Sequence, residues 1–154
     1  MINAIIGAKG DMGKNLLSPL LKQIGQVVSV DIESTPLEWK NAWKADVIWL
    51  SIPRDKIPKV LEGIKLKPEQ LIIDICSIKR HLHKIVKQTG ASHLSLHPMH
   101  GPFVPLQGQR WSVIKTQANI LENKNAVSIL KFLKDQNINF LEPCSEDEHD
   151  FMIG

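Results

Sequence analysis

Short apolar runs alternate along this chain with segments whose apolar residues recur at helical spacing. Uninterrupted apolar runs are typical of buried strands, and an i, i+3, i+4 repeat is typical of amphipathic helices. The runs predict strands over 2–6, 27–30, 47–52, 71–75, 94–96, 111–114 and 138–141. The helical repeats between them fall in 16–24, 36–43, 55–64, 78–86 and 126–133. Strands separated by helices predict an α/β fold, with a doubly wound, mostly parallel sheet and helices on both faces.

Several residues interrupt or bound this pattern. Pro19 lies inside the first predicted helix, where it removes a backbone hydrogen bond and is expected to kink the helix. Pro58 is tolerated because it falls in the first turn of its helix. Ser77 is placed to cap the helix that ends at Gly90. The Pro- and Gly-rich stretch 97–110 is predicted to be a loop.

Composition narrows the class of protein. A chain of 154 residues suits one domain with one core. Its 19 basic and 16 acidic residues give a net charge of +3, too small to indicate nucleic-acid binding. No apolar run approaches the roughly 20 residues of a membrane span, and the N-terminus does not resemble a signal peptide. Cys76 and Cys144 form no C-x-x-C motif, so we expect reduced thiols in a cytoplasmic protein. The charge and the lack of a long apolar run lead us to expect that it binds neither nucleic acid nor membrane.

A glycine-rich segment joins the first strand to the first helix, and it reads Gly7-Ala8-Lys9-Gly10-Asp11-Met12-Gly13. In the G-x-G-x-x-G pattern of dinucleotide-binding units, Ala8 takes the first glycine position, and Gly10 and Gly13 take the others. Gly10 lets the backbone approach a pyrophosphate, and Gly13 lets the helix pack closely on the strand. The helix N-terminus offers N–H groups to the phosphates. The extra methyl group of Ala8 is expected to reduce affinity without abolishing it.

An acidic residue follows at the position that this pattern requires. Asp31 ends the second strand, where a carboxylate accepts hydrogen bonds from the adenosine ribose. The same carboxylate repels a 2′-phosphate, and Ile32 and Glu33 provide no arginine to bind one. The sequence therefore predicts a Rossmann-type domain that binds NAD in preference to NADP.

Three polar segments follow later strands, at the sheet edge where open α/β folds bind ligands. They are Ser51-Ile52-Pro53, the segment 74–79 and the segment 97–102. Together with the glycine turn they form the series G-x-x-G-x-M-G, S-x-P, D-x-x-S-x-K and H-P-M-x-G-P, continued in looser form by Glu148-His149-Asp150. This series resembles the prephenate dehydrogenases over essentially the whole chain.

The resemblance implies NAD-dependent oxidative decarboxylation of prephenate to 4-hydroxyphenylpyruvate in tyrosine biosynthesis, with arogenate as the alternative substrate. His97 matches the family's catalytic histidine, which accepts a hydrogen bond from the 4-hydroxyl and must be neutral to do so. Ser77 matches a serine near the substrate hydroxyl and the nicotinamide, where its hydroxyl would orient His97 or the substrate. The residues expected at the cofactor are Gly7, Ala8, Lys9, Gly10, Asp11, Met12, Gly13, Asp31, Ser51, Ile52, Pro53 and Ser77.

Plainer structural roles stand beside these assignments. His97 alternatively hydrogen-bonds a loop carbonyl, and Ser77 alternatively acts only as a helix cap. Lys79 faces either the ligand or the solvent. Two close histidine pairs suggest a metal, but no carboxylate or cysteine completes a ligand set at close spacing, so no metal site is predicted. These pairs are His81 with His83 and His97 with His100.

The last residues predict a further helix. Ser145 and Glu148 form an S-x-x-E capping box. We therefore expect residues 1–144 to form the nucleotide-binding domain and residues 145–154 to begin a helix. By resemblance, this helix leads into a helical domain, absent from these residues, that carries the dimer interface and an arginine for a substrate carboxylate. The alternative is a short terminal helix docked on the sheet.

Three functions follow from these observations. The first is a dehydrogenase for which this chain supplies the nucleotide domain and the catalytic histidine. The second is a non-catalytic NAD-binding module with a regulatory role. The third is another dehydrogenase of the β-hydroxyacid type, because the glycine turn alone fits that wider group.

Overall fold

Residues 1–153, which the computed structural model describes, are built around one sheet of seven strands. The strands are β1 (Ile2–Ile6), β2 (Gln26–Val30), β3 (Val47–Leu50), β4 (Leu71–Asp74), β5 (Ser92–Pro98), β6 (Arg110–Ile114) and β7 (Asn139–Phe140). Their spatial order is β2-β1-β3-β4-β5-β6-β7. Neighbouring strands pair in parallel, except for the antiparallel pair β5–β6. The predicted Rossmann-type, mostly parallel sheet is confirmed.

Helices cover both faces of this sheet. They are α1 (Ser18–Leu21), α2 (Pro36–Trp43), α3 (Ile57–Leu61), α4 (Leu82–Lys87), α5 (Lys124–Asp135) and α6 (Glu146–Ile153). Alternate residues of each strand point to opposite faces, so Trp49 packs with the buried residues of α1 and α5. Its neighbour Ile48 packs with those of α2, α3 and α4. None of the described helices is both long and apolar enough to cross a membrane.

The first helical segment differs from the prediction in form. A π-helical turn, Gly13–Leu17, precedes α1, and the helix ends at Leu21 rather than at residue 24. Pro19 lies in the first turn of α1, directly after the π-helical turn. A π turn shifts the backbone pairing by one residue, and the N–H of Ser18 bonds to the carbonyl of Gly13. The missing N–H of Pro19 is therefore accommodated by a change of helix type.

Other boundaries also shift. The segment predicted as a helix over 55–64 is a 3₁₀ turn, Arg54–Lys56, followed by α3, in which Pro58 lies in the first turn as expected. Strand β5 is longer than predicted and extends through Pro98. The prediction that the loop begins at residue 97 was therefore wrong, because pairing with β6 continues to Pro98. His97 is a strand residue, held opposite Ser112.

The predicted cap of α4 was also wrong. Ser77 is exposed and caps no helix, because α4 begins only at Leu82. The backbone N–H groups of Leu82 and His83 instead donate to the two carboxylate oxygens of Glu146, at 3.1 and 3.3 Å. The helix is thus capped from α6, more than sixty residues away. A distant carboxylate has taken the place of the local hydroxyl.

The capping box at the start of α6 is confirmed. The N–H of Glu148 donates to the Ser145 hydroxyl at 3.1 Å, and the N–H of Ser145 donates to the Glu148 carboxylate at 2.7 Å. The two bonds satisfy both backbone groups reciprocally. They start α6 at the point where it meets the carboxyl end of the sheet.

Candidate functional site

An open cleft of about 630 Å³ lies across the carboxyl ends of β1, β3, β4 and β5. Eight residues from the predicted site line it, and the structure therefore brings most of that site together. These are Gly10, Asp11, Met12, Ser51, Ile52, Pro53, Ser77 and His97. Arg54, Ile75, Cys76, Ile78, Pro98 and His100 also line the cleft. Carboxyl ends of parallel strands meet at one edge of a sheet, so these sequence-distant segments converge there.

The glycine turn meets the sheet through two very close backbone approaches. Gly7 has φ +90°, and a Cβ there would lie 2.2 Å from the carbonyl oxygen of Ser51. A Cβ on Gly13 would lie 2.4 Å from the carbonyl oxygen of Gly7. The residue that makes the tight turn is therefore Gly7, while the neighbouring Ala8 packs partly buried against the core. The expectation that the Ala8 methyl group reduces affinity stays a prediction.

Gly10 differs from the other two glycines. A Cβ there would meet only the carbonyl oxygen of Gly7, at the ordinary contact distance of 3.4 Å. Gly10 also lines the cleft, so its missing side chain leaves space on the ligand side of the turn. This is the arrangement that the close approach of a pyrophosphate requires.

Asp31 lies beside the turn but not among the residues that line the cleft. Its carboxylate accepts the N–H of Lys9 at 2.8 Å and the N–H of Ile32 at 2.8 Å. The Lys9 ammonium pairs with Glu33 at 2.7 Å, and both of these side chains are largely exposed. Asp31 therefore holds the backbone of the glycine turn, and each of its oxygens keeps a further lone pair for another donor.

His97 stands at the end of β5, half-buried at the floor of the cleft. Its Nδ1 lies 3.0 Å from Nε2 of the fully buried His149. The plainer alternative of a loop carbonyl partner for Nδ1 was wrong. Burial, the Lys79 ammonium and His149 together lower the pKa of His97 to about 4. The ring is therefore neutral near pH 7, as its predicted role requires.

Lys79 is fully buried, so the solvated alternative was wrong. Its ammonium donates to Oδ1 of Asp74 at 2.6 Å and to the carbonyl of Leu96 at 2.6 Å. The other Asp74 oxygen, Oδ2, pairs with Nε2 of His93 at 2.7 Å. Burial raises the pKa of Asp74, but the Lys79 ammonium and His93 more than offset this, and the pKa lies well below its usual range. A buried ion pair thus fixes the strand ends beneath His97.

Two further polar side chains at the cleft, Cys76 and His100, are respectively protonated and hydrogen-bonded. Burial raises the pKa of Cys76 to about 12, so it stays a thiol near neutral pH. Nδ1 of His100 bonds to the carbonyl of Gly101 at 2.7 Å, and Nε2 accepts the indole N–H of Trp111 at 2.8 Å. Within residues 1–153, no group of three or more His, Cys, Asp or Glu side chains is arranged to hold a metal ion.

Sequence reasoning missed four residues of this site or the contacts that they make there. Asp74 and Lys79 both lie in the D-x-x-S-x-K segment, but their spacing carries no sign that both are buried. His149 was matched to a motif without a role, and no spacing rule links it to His97, 52 residues away. Arg54 lines the cleft, and its guanidinium donates to the carbonyl of Arg80. It directly follows the S-x-P motif, which was the available signal.

The family of this chain is shown by its sequence. A model described as the prephenate dehydrogenase nucleotide-binding domain matches residues 22–139, well over half of the chain. The chain belongs to this family. The matched range contains Asp31, Ser77 and His97, and it begins after the glycine turn. Among curated proteins, none matches the chain in sequence.

Solved structures share the fold at low sequence identity. Arogenate dehydrogenase from Synechocystis superposes with a TM-score of 0.75 at 14% identity, over 99% of this chain and 63% of that one. A variant imine reductase from Myxococcus stipitatus in complex with NAD⁺ gives 0.69 at 17%, over 99% and 57%. An NADH-preferring ketol-acid reductoisomerase from an uncultured archaeon gives 0.71 at 16%, over 99% and 54%. This chain therefore spans less than two thirds of the length of each relative.

Proposed function

We propose that this chain is the NAD-binding domain of a dehydrogenase that oxidatively decarboxylates prephenate, or arogenate, in tyrosine biosynthesis. The observation that carries the proposal is the set of residues that line the cleft at the carboxyl ends of the strands. The turn containing Gly10 lines one part of it, and Ser77 with a neutral His97 lines another. Membership of the prephenate dehydrogenase nucleotide-binding family supports the same conclusion.

The residues of the turn fit a dinucleotide. Gly10 leaves open space beside the backbone, where a Cβ would otherwise intrude on a phosphate. Asp31 retains lone pairs for ribose hydroxyls. Asp31 and Glu33 both carry negative charge near the expected position of the 2′-hydroxyl, which favours NAD over NADP. Ser51, Ile52 and Pro53 would line the path from the ribose toward the nicotinamide.

In the proposed reaction, the part played by this chain is the transfer of one proton by His97. When bound, NAD supplies the acceptor for the hydride that leaves the ring carbon bearing the 4-hydroxyl. The neutral imidazole of His97 takes the hydroxyl proton as that hydride departs. The carboxylate on the opposite ring carbon leaves as carbon dioxide, and its bonding electrons enter the ring, which becomes aromatic. His97 then returns the proton to the phenolate oxygen, so each turnover yields one NADH and one carbon dioxide.

We further propose that α6 leads from the domain of residues 1–144 into a helical dimerisation domain, in a cytoplasmic homodimer. Phe151 and Met152 of α6 are 88% and 66% exposed, which supports a partner surface for this helix. An arginine from that domain would bind a substrate carboxylate. The substrate would thus be held between two units, with the reacting hydroxyl directed at His97.

Two measurements test this function. Calorimetry should show that the chain binds NAD more tightly than NADP. If it bound neither, the assumption common to all three candidate functions, a nicotinamide dinucleotide site, would be refuted. NADH formation from prephenate and from arogenate should then be followed for the wild type and for His97→Ala. His81→Asn is the matched control, because His81 is exposed, lies outside the cleft and has a positive φ that asparagine tolerates.

The outcomes separate the candidate functions. Turnover that is lost in His97→Ala and kept in His81→Asn supports the proposal. NAD binding without turnover of either substrate, including in a version that carries the helical domain, would indicate a non-catalytic module. Turnover of a β-hydroxyacid instead would indicate the wider dehydrogenase group.

A further inference from the structure

His97 is one end of a chain of three side chains that runs away from the cleft. Its Nδ1 lies 3.0 Å from Nε2 of His149, and Nδ1 of His149 lies 3.2 Å from Oδ1 of Asp150. His149 is fully buried, and the two imidazole rings meet edge to face with centroids 5.0 Å apart. The cleft, His97, His149 and the Asp150 carboxylate therefore follow one another without a gap for solvent between the rings.

The Asp150 carboxylate is ionised and already well supplied with donors. Its two oxygens accept the backbone N–H groups of Lys79 and Arg80, each at 2.8 Å. Burial raises the pKa of Asp150, but these hydrogen bonds and the one from His149 lower it by more. The pKa of Asp150 is therefore below its ordinary value. An ionised carboxylate only accepts hydrogen bonds. The nitrogen of His149 that faces it must therefore carry a proton.

The proton on Nδ1 of His149 determines where the protons lie on the other ring nitrogens of His149 and His97. In a neutral imidazole, one nitrogen donates and the other accepts. With Nδ1 of His149 donating to Asp150, its Nε2 is left to accept. Within residues 1–153, the hydrogen-bond partner of that nitrogen is Nδ1 of His97, which must then donate. Nε2 of His97, the ring nitrogen left for the cleft, consequently has no proton of its own.

We propose that His149 and Asp150 are positioning residues that hold His97 as its Nδ1–H tautomer, with a bare Nε2 ready to accept a proton in the cleft. A base must present an unprotonated nitrogen to the group it deprotonates. The proposal rests on the proposed function only in naming that group as the substrate hydroxyl. The tautomer itself is a property of the chain without substrate.

The series His97, His149 and Asp150, which we call the relay, also contacts the segment that carries Ser77. Asp150 binds the N–H groups of Lys79 and Arg80, two and three residues after Ser77. A single residue of α6 thus orients the histidine through His149 and fixes the loop that brings Ser77 to the cleft. The resemblance gave the Ser77 hydroxyl one of two roles, orienting His97 or orienting the substrate. The contacts of α6 provide the orientation of His97, which leaves the substrate as the group for Ser77.

One other protonation state competes with this arrangement. If His149 were an imidazolium, its Nε2–H would donate to Nδ1 of His97. The proton of His97 would then lie on Nε2, and the ring would present a donor to the cleft. The two states place opposite hydrogen-bonding groups in the cleft, and they are distinguished by a direct measurement.

The test is nitrogen NMR of the 154-residue chain labelled with ¹⁵N-histidine, near pH 7.5, with the His97 signals assigned from a His97→Gln variant. We expect Nδ1 of His97 to have a pyrrole-type shift and Nε2 a pyridine-type shift. The reverse pattern, or a doubly protonated His97 or His149, would overturn the proposal. The variant serves only to assign the signals, and the measurement itself does not depend on catalytic activity.

Two substitutions then separate a positioning role from mere packing. The side-chain carbonyl of Gln accepts a hydrogen bond and the ring of Phe does not, so His149→Gln should keep the Nδ1–H signature of His97 and His149→Phe should lose it. His81→Asn should leave the signals of His97 unchanged. Retention of the signature in His149→Phe would refute the role of His149.

Kinetics link the relay to the reaction. A base contributes about 10²- to 10⁴-fold to rate, so in a version that has activity, His149→Phe should lower kcat by about tenfold or more. Its KM and NAD affinity should remain close to the wild-type values, and His149→Gln should recover part of the loss. If the wild type shows the Nδ1–H tautomer but turns over neither prephenate nor arogenate, the relay stands and the proposed reaction fails.

Discussion

Gly7 offers the sharpest test of how the nucleotide turn is built. Its φ of +90° is unfavourable for a side chain, and a Cβ would lie 2.2 Å from the carbonyl oxygen of Ser51 and 2.8 Å from the side chain of Ile52. The left-handed conformation costs an alanine about 1–2 kcal/mol. Overpacking of a close-packed site costs about 1–3 kcal/mol. We therefore expect Gly7→Ala to lower the free energy of unfolding by about 2–5 kcal/mol.

Thermal unfolding followed by circular dichroism measures this loss. For a domain of about this size, 1 kcal/mol corresponds to about 2–4 °C in Tm. Gly7→Ala should therefore lower Tm by about 4–20 °C. The expected loss is large because both obstructing groups belong to the β3 edge, where the backbone of Ser51 is held by its own hydrogen bond to Ile6. The Ser51 carbonyl is backbone next to that bond, and it is therefore less free to move than the end of a flexible side chain.

Gly10→Ala is the matched control within the same turn. Its Cβ would meet the nearest atom at 3.4 Å, and its φ lies outside the left-handed region. We expect Tm to change by less than about 3 °C, while NAD affinity falls because the methyl group enters the space beside the phosphates. Equal Tm values for Gly7→Ala and Gly10→Ala would refute the steric reasoning. Unchanged NAD affinity in Gly10→Ala would refute the phosphate cradle.

Two further predictions concern ionisable side chains that the fold buries wholly or in part. Lys79→Met leaves the buried Asp74 carboxylate without its ammonium partner, so urea unfolding should show a loss of about 3–5 kcal/mol; the double variant with Asp74→Asn should recover most of it, and a harmless single substitution would contradict the account. His97 should titrate by NMR with a midpoint near 4, because burial, Lys79 and His149 disfavour the imidazolium more than Asp74 and Asp150 favour it. Since the unfolded ring binds its proton near 6.5, the unfolded state holds more protons between these values. The contribution of His97 to stability therefore decreases as pH falls from about 6.5 to about 4, and a midpoint at or above 6.5 would contradict this.

Much of the architecture could be predicted from local patterns. The apolar runs located all seven strands. The signal is clearest for β3 and β4, which are buried throughout, because a strand buried on both faces needs an unbroken apolar segment. The capping box of Ser145 and Glu148 was found because its two bonds join residues only three apart. The close approach required at Gly13 was also correct, since the pattern of strand, turn and helix determines it locally.

The errors arose where a distant group replaced a local one. Ser77 has the right type and place for a cap, but Glu146 supplies the bonds at α4. Lys79 was expected to face either the ligand or the solvent, yet the fold provides Asp74 and the carbonyl of Leu96 as partners, which makes burial of its charge tolerable. Neither Glu146 nor Leu96 is near enough in sequence for a spacing rule to find it.

The sequence by itself determined the strands, the turns and the candidate side chains of the site, because these depend on interactions between near neighbours in the chain. Only the tertiary structure decided the surroundings of those side chains. His97 is named by its motif, but its neutral state comes from burial beside Lys79, and its orientation comes from His149, 52 residues away. Contacts of that range depend on the order of strands in the sheet and on where α6 docks. Protonation and hydrogen bonding respond to the surroundings of a group, and those surroundings exist only once the chain has folded.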